Sequence, residues 1–163
     1  MQRLIHHDGA ELIVAFLGRS EVAGLPEMML SSPAEKETMA GDDSVILSIP
    51  WWAMTEASVL SKDFSARIAA QIAREYAALL DKMATFAFRS LEGRMASFLL
   101  DMQAIIERTP SLKLSQGMIA MAVGASRPKV NHCLRNLERR GWICRSNGSI
   151  PHICDPAALR RLR

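Results

Sequence analysis

Gly124-Ala125-Ser126-Arg127-Pro128-Lys129-Val130-Asn131 sits between two helical patterns, and the rest of the chain reads outward from it. Upstream, Leu114-Ser115-Gln116 opens a helix that runs to Val123. Ser115 can cap it by accepting a hydrogen bond from a free backbone N–H. Gly124 then permits a turn with positive φ. Ser126 is a suitable cap for the next helix, and Pro128 falls in its first turn, where a missing N–H has no partner to lose. That second helix runs to about Arg140 and ends at Gly141. Ala120 is small where the two helices cross, and Val130 and Leu134 face Ile119 and Val123. The outer face carries Arg127, Lys129, Asn131, His132 and Arg135. This is a helix-turn-helix pattern, whose second helix presents its N-terminal side chains to the DNA major groove.

Charge supports a polyanionic partner. Residues 1–110 hold 10 Lys and Arg against 15 Asp and Glu, whereas residues 111–163 hold 10 against Glu138 and Asp155 alone. A basic module attached to an acidic one suggests nucleic acid first and an anionic membrane surface second. Downstream, Trp142-Ile143-Cys144-Arg145 and Ile150-Pro151-His152-Ile153 flank Ser146-Asn147-Gly148-Ser149. Asn-Gly between apolar runs signals a hairpin, and a hairpin behind a helix-turn-helix is a wing. Asp155-Pro156 opens a short last helix.

The cysteines, Cys133, Cys144 and Cys154, are odd in number and loosely spaced, which argues against a disulfide scaffold. With His132 and His152 they are metal-ligand types, but no Cys-x-x-Cys pair exists and Cys133 falls where the motif wants a buried apolar residue. No catalytic constellation, phosphate-cradling loop, signal peptide or ~18-residue apolar span is visible. The expected protein is not an enzyme, holds no metal or cofactor, and works in a reducing cytoplasm away from membranes.

The first 60 residues read as β-rich. Glu11–Leu17 is an apolar run ending at Gly18, and Ser44–Ile49 is a β-branched strand stopped by Pro50. A polar loop, Ser31–Glu37, separates them. Pro50 opens a short helix around Trp51-Trp52-Ala53-Met54. A long helix starts near Lys62, with neither Gly nor Pro from Phe64 to Phe88. Ile68, Ile72, Tyr76, Leu79, Met83 and Phe86 form a seam at helical spacing. At about 25 residues, roughly 37 Å, the helix exceeds what so small a β segment can cover, so a homodimer interface is favoured over packing on the chain's own strands. A further helix, about Ser90 to Arg108, has Leu91, Met95, Phe98, Leu99, Met102 and Ile106 as its apolar face and stops at Pro110.

Two stretches, the one quoted first and Leu134-Arg135-Asn136-Leu137-Glu138-Arg139-Arg140-Gly141-Trp142-Ile143, resemble the Crp/Fnr family of bacterial transcription regulators. Phe88-Arg89-Ser90-Leu91-Glu92-Gly93-Arg94-Met95-Ala96 resembles the family's hinge and the entry to its DNA-binding domain. The long helix resembles its dimerisation helix, and Gly24-Leu25-Pro26-Glu27 stands where the β-roll has its ligand-cradling turn. The family's β-roll is longer at its N-terminus, so the resemblance implies that this chain begins inside the roll. Members that bind cyclic AMP carry an Arg-Ser pair in the loop and hydroxyls on the long helix. Here the loop reads Pro33-Ala34-Glu35-Lys36-Glu37-Thr38 and the helix has Leu79-Leu80. The resemblance therefore implies a sensor for an unknown small-molecule effector rather than for cyclic AMP. Arg127 matches the family's guanine-reading arginine. Pro128 replaces a common glutamate, and His132 stands where some members have a second arginine.

The expected fold is α+β: a partial, jelly-roll-like β-roll over 1–60, a dimerisation helix over 61–88 and a winged helix-turn-helix domain over 89–163. The expected function is transcription regulation by a homodimer on a palindromic duplex, through a recognition helix at about 126–140. Arg127, Asn131 and His132 read bases, while Ser115, Gln116, Ser126, Lys129 and Arg135 hold the DNA backbone. An activator would also touch RNA polymerase. The alternative is an effector-sensing or protein-interaction module that has lost specific DNA binding.

Overall fold

A computed structural model describes the chain except residues 6–7, 19–20, 35, 42, 109–111, 113 and 145–149 and the side chains of Ala104 and Arg108. The chain begins with β1 (Gln2–Ile5), which pairs antiparallel with β2 (Glu11–Ala15) in the register Leu4↔Leu12, with a bulge beside Gln2 and Arg3. After α1 (Leu25–Leu30), the two-residue β3 (Glu37–Thr38) covers the other edge of β1, giving the order β2-β1-β3. The Arg3 guanidinium ties the sheet together, donating to Glu11 at 2.9 Å and to Glu37 at 2.8 Å.

Gly24, at φ 88°, turns the chain into α1, and Pro26 lies in its first turn, where proline is tolerated. One sequence expectation needs correction here. Ser44–Ile49 forms no strand. Val45 and Leu47 are fully or largely exposed. A β-branched run becomes a strand only when a neighbouring strand pairs with its backbone, and it joins neither of the described sheets.

Helix α2 (Trp51–Leu60) extends well past Met54 and leads through Ser61 into α3 (Lys62–Phe88). Ser61 ends one helix and caps the next, its hydroxyl accepting from Phe64 N at 3.2 Å. Arg89 breaks the helical path at ψ 143° and donates to the buried Ser97 hydroxyl at 2.6 Å, which fixes the joint with α4 (Leu91–Arg108). Then follow α5 (Gln116–Val123), α6 (Arg127–Arg139), β4 (Ile143–Cys144), β5 (His152–Ile153) and α7 (Pro156–Leu162). β4 and β5 pair antiparallel as the base of the expected wing; its Asn147-Gly148 turn lies outside the described residues. Asp155 caps α7, accepting from Ala158 N at 2.9 Å. The two ends of the C-terminal part meet closely, since a Cβ on Gly93 of α4 would lie 2.8 Å from the Leu162 carbonyl oxygen of α7.

The core is centred on the C-terminal helices. Met95, Leu99 and Met102 of α4, Ile119 and Val123 of α5, Val130, Leu134 and Leu137 of α6, Ile143 and Leu159 share one apolar cluster. The N-terminal hairpin joins that cluster. Ile13 of β2 is fully buried in it, and Phe16 meets Phe98 with ring centroids 6.0 Å apart. At the opposite extreme, no described residue of α3 is buried.

The cysteines also depart from expectation. Cys144 and Cys154 are joined by a disulfide at the base of the wing, while Cys133 is a free thiol in the core. The odd count concealed one cross-strand pair, because antiparallel strands bring together residues that spacing alone leaves unrelated.

Candidate nucleic-acid interface

Local chemistry fixes α5 and α6 against each other. The Ser115 hydroxyl caps α5, accepting from Met118 N at 3.2 Å. Gly124 closes it at φ 61°, and the next N–H, of Ala125, returns to the Ala120 carbonyl at 3.0 Å. This glycine is required twice over: its φ is left-handed, and a Cβ would stand 2.5 Å from Cε1 of Phe86. Ser126 occupies the cap position of α6, but its hydroxyl makes no capping bond. The helix begins instead with its backbone carbonyl accepting from Val130 N at 3.0 Å.

Helix α6 is sharply two-sided. Val130, Cys133, Leu134 and Leu137 are buried; burial in apolar surroundings pushes the Cys133 thiol up to about 11, against the ordinary 9.0. The opposite face exposes Arg127, Lys129, His132 and Arg135, with Asn131 half-buried beside them. Ser115, Gln116 and Ser126 are exposed at the N-terminal ends of α5 and α6. All eight residues expected to meet DNA are therefore accessible, on the ends and outer face of two adjoining helices. His132 pairs with Asn136 at 3.1 Å, and Arg139 donates to the same Asn136 at 3.0 Å. Arg140 is turned away from this face, held by Glu92 at 3.2 Å and stacked over Trp142 with 4.9 Å to its ring centroid.

Two supporting residues escaped sequence reading. A Cβ on Gly117 would lie 2.6 Å from Nη2 of Arg127, so the guanidinium lies over a bare stretch of α5 backbone. A glycine inside an eight-residue helix costs helical stability and was the available signal. Glu11, with Gly9 and Ala10 at the hairpin tip, lines one open cleft together with Gly117, Gly124, Ser126, Arg127 and Lys129. Nothing local foretells that contact.

On α3, Tyr76, Leu79 and Met83 are exposed, and Ile68 and Ile72 are partly so. Phe86 is occupied within the chain: besides touching Gly124, its ring lies 5.4 Å from the Arg94 guanidinium. Lys82 Nζ donates to the Ile13 carbonyl at 2.5 Å, tying α3 to the hairpin. In the loop compared with cyclic-AMP binders, Lys36 is paired with Glu27 at 2.9 Å and Glu37 with Arg3, which leaves no unpaired cation among them for a phosphate. Among the described residues, no three metal-ligating side chains converge and no helix is long and apolar enough to cross a membrane.

Residues 93–162 match the family of Crp-like helix-turn-helix domains. No curated protein matches the chain. Solved structures share the fold. A protein from Eubacterium rectale described as a Crp/Fnr-family regulator aligns with a TM-score of 0.77 at 22% identity, covering 99% of this chain and 74% of that one. A CRP-family transcriptional regulator from Thermus thermophilus aligns at 0.75 and 23% identity, over 98% and 80%. FixK2 from Bradyrhizobium japonicum aligns at 0.71 and 18% identity, over 99% and 81%. Residues 93–162 therefore form a Crp-like helix-turn-helix domain, set in a chain that shares its fold with solved proteins described as Crp/Fnr-family regulators.

Proposed function

We propose that the chain acts as a homodimer on a palindromic operator, with α6 entering the major groove. The observation that carries this reading is the two-sidedness of α6: one face buried, the other exposing Arg127, His132 and Arg135 with Asn131 half-buried beside them. Arg127 is suited to grip guanine O6 and N7 with two hydrogen bonds, Asn131 to pair with adenine, and His132 to contact a further base edge. Ser115, Gln116, Ser126 and Lys129 flank this face at helix N-termini, where hydroxyls, ammonium and free N–H groups favour phosphate. Arg135, one turn beyond Asn131, holds the backbone on the far side.

Pairing of α3 through Ile68, Ile72, Tyr76, Leu79 and Met83 sets two such helices about one DNA turn, ~34 Å, apart. A 27-residue helix with no buried described residue needs a partner for its apolar seam, and a second copy supplies a matching one. The small-molecule effector falls outside the cyclic-nucleotide class because Lys36 and Arg3 are already paired with carboxylates. Calorimetry with cyclic AMP is expected to give no binding at micromolar concentration.

The test is selection from a random duplex library at two salt concentrations. The expected product is a palindrome with half-sites one turn apart and affinity that falls steeply with salt. Sequence-independent binding at both salts would overturn the reading and favour a module that has lost specific recognition.

A further inference from the structure

Cys144 and Cys154 are both exposed, with Cα atoms 6.4 Å apart, inside the range that a disulfide spans without backbone movement. They stand on opposite sides of the hairpin, bracketing the wing in a sequence separation of 10. Cys133, on α6 in the core, is buried, and its surroundings hold the thiol neutral. The hairpin does not depend on the cross-link for its footing. Ile143 and Ile150 are buried, and the Trp142 carbonyl accepts from Cys154 N at 2.9 Å and Asp155 N at 3.1 Å.

We propose that Cys144 and Cys154 are a reversible thiol–disulfide site that adjusts the wing of the DNA-binding domain. The oxidant is a low-molecular-weight disulfide, R–S–S–R. One cysteine thiolate attacks a sulfur of R–S–S–R, forming a mixed disulfide and releasing one R–S⁻. The second cysteine thiolate attacks the protein sulfur of that mixed disulfide and releases the other R–S⁻. The two protons lost by the protein thiols end on the two R–SH products, so the protein gives up two electrons and R–S–S–R takes them. An excess of a small dithiol reverses the step.

The consequence for DNA follows from the position of the pair, and it rests on the proposed reading of α6 as the recognition helix. β4 packs against α6, so the base of the hairpin is coupled to the recognition helix. The cross-link removes open conformations of the hairpin base and preorganises its placement against α6. The oxidised protein is therefore expected to bind its selected duplex several-fold more tightly than the reduced one.

The experiment treats the full chain with glutathione disulfide and then with dithiothreitol, following intact mass, thiol labelling and duplex affinity. The expected result is a mass loss of roughly 2 Da, one for each hydrogen. Labelling of Cys144 and Cys154 should disappear and return on reduction, while Cys133 labels only after denaturation. Duplex affinity should follow the same cycle, and the Cys144→Ser/Cys154→Ser variant should show no redox response. Retention of two accessible thiols, or glutathione adducts without an internal bond, would overturn the site. Oxidation without a change in affinity would overturn its regulatory role. The mass and thiol readouts need no DNA, so a failure of duplex binding in every form counts against the proposed function alone.

Discussion

Helices α3 and α4 follow one another in the chain and carry similar apolar stripes, yet they end in opposite environments. On α4, Met95, Leu99 and Met102 are sealed beneath α5, α6 and α7. On α3, Tyr76 and Met83 remain 62% and 60% exposed. Helical spacing of apolar residues states that a face exists; it does not state what covers it. The covering of α4 comes from elements of the same chain. The covering of α3 is partial: α1 and α2 pack on it, Lys82 reaches the hairpin and Phe86 meets Gly124, while Tyr76, Leu79 and Met83 stay exposed.

The largest effect should separate these two helices directly. Leu99→Ala leaves a cavity in the core and is expected to lower unfolding free energy by about 2–5 kcal/mol. The matching change on α3, Leu79→Ala, should alter the stability of a dissociated protomer by no more than about 0.5 kcal/mol. Denaturant melts of both variants at high dilution check this, and equal losses would erase the contrast.

Gly124→Ala attacks one place where α3 does find a partner within its own chain. The left-handed φ and the Phe86 ring together should cost about 1–3 kcal/mol, measured by thermal melting. Phe86→Ala in the same background should recover part of that loss, since it removes the colliding ring.

Arg127→Ala tests what the buried side of α6 is for. The fold should be unaffected, while duplex affinity drops by about 1–3 kcal/mol and preference relaxes at one base pair in each half-site. An unchanged specificity profile would remove Arg127 from the base-reading set.

The smallest effect concerns Lys82. Burial pushes its ammonium down to about 8 from 10.5, with the Asp101 carboxylate opposing the shift. The unfolded chain therefore holds this proton more tightly than the folded one. Stability from this group rises as pH climbs from about 8 toward 10.5 and is lost as pH falls through 8. Lys82→Met should flatten that part of the stability profile, measured by denaturant titration at several pH values.

The sequence was most legible where local rules act alone. Ser115, Gly124, Pro128, Gly141 and Asp155 mark helix ends through capping and backbone geometry, and α5 to α7 start and stop close to where those residues say. It was least legible where partners are distant. Ser44–Ile49 has the composition of a strand but pairs in none of the described sheets, and Val45, Ile46 and Leu47 stay exposed. The short β1 passed unread because four residues give too little alternation to detect. Ile13 looked like an ordinary strand residue, and only the tertiary fold lays it into the core under α5. Phe86 fits the α3 seam by spacing, but the helix ends there and its ring meets Gly124 instead. For the interface itself, exposure of the α6 face followed from its inward residues, whereas the Gly117–Arg127 contact needed the crossing geometry of two helices.

The exposed seam of α3 at Tyr76, Leu79 and Met83 is what a second copy of the chain would cover. Sedimentation equilibrium of the intact protein, beside a Leu79→Glu/Met83→Glu variant, tests this directly. The expected result is a wild-type mass of twice 18.0 kDa and a folded variant of 18.0 kDa. A wild-type protein that sediments as a single chain, or a variant that still pairs, would contradict it.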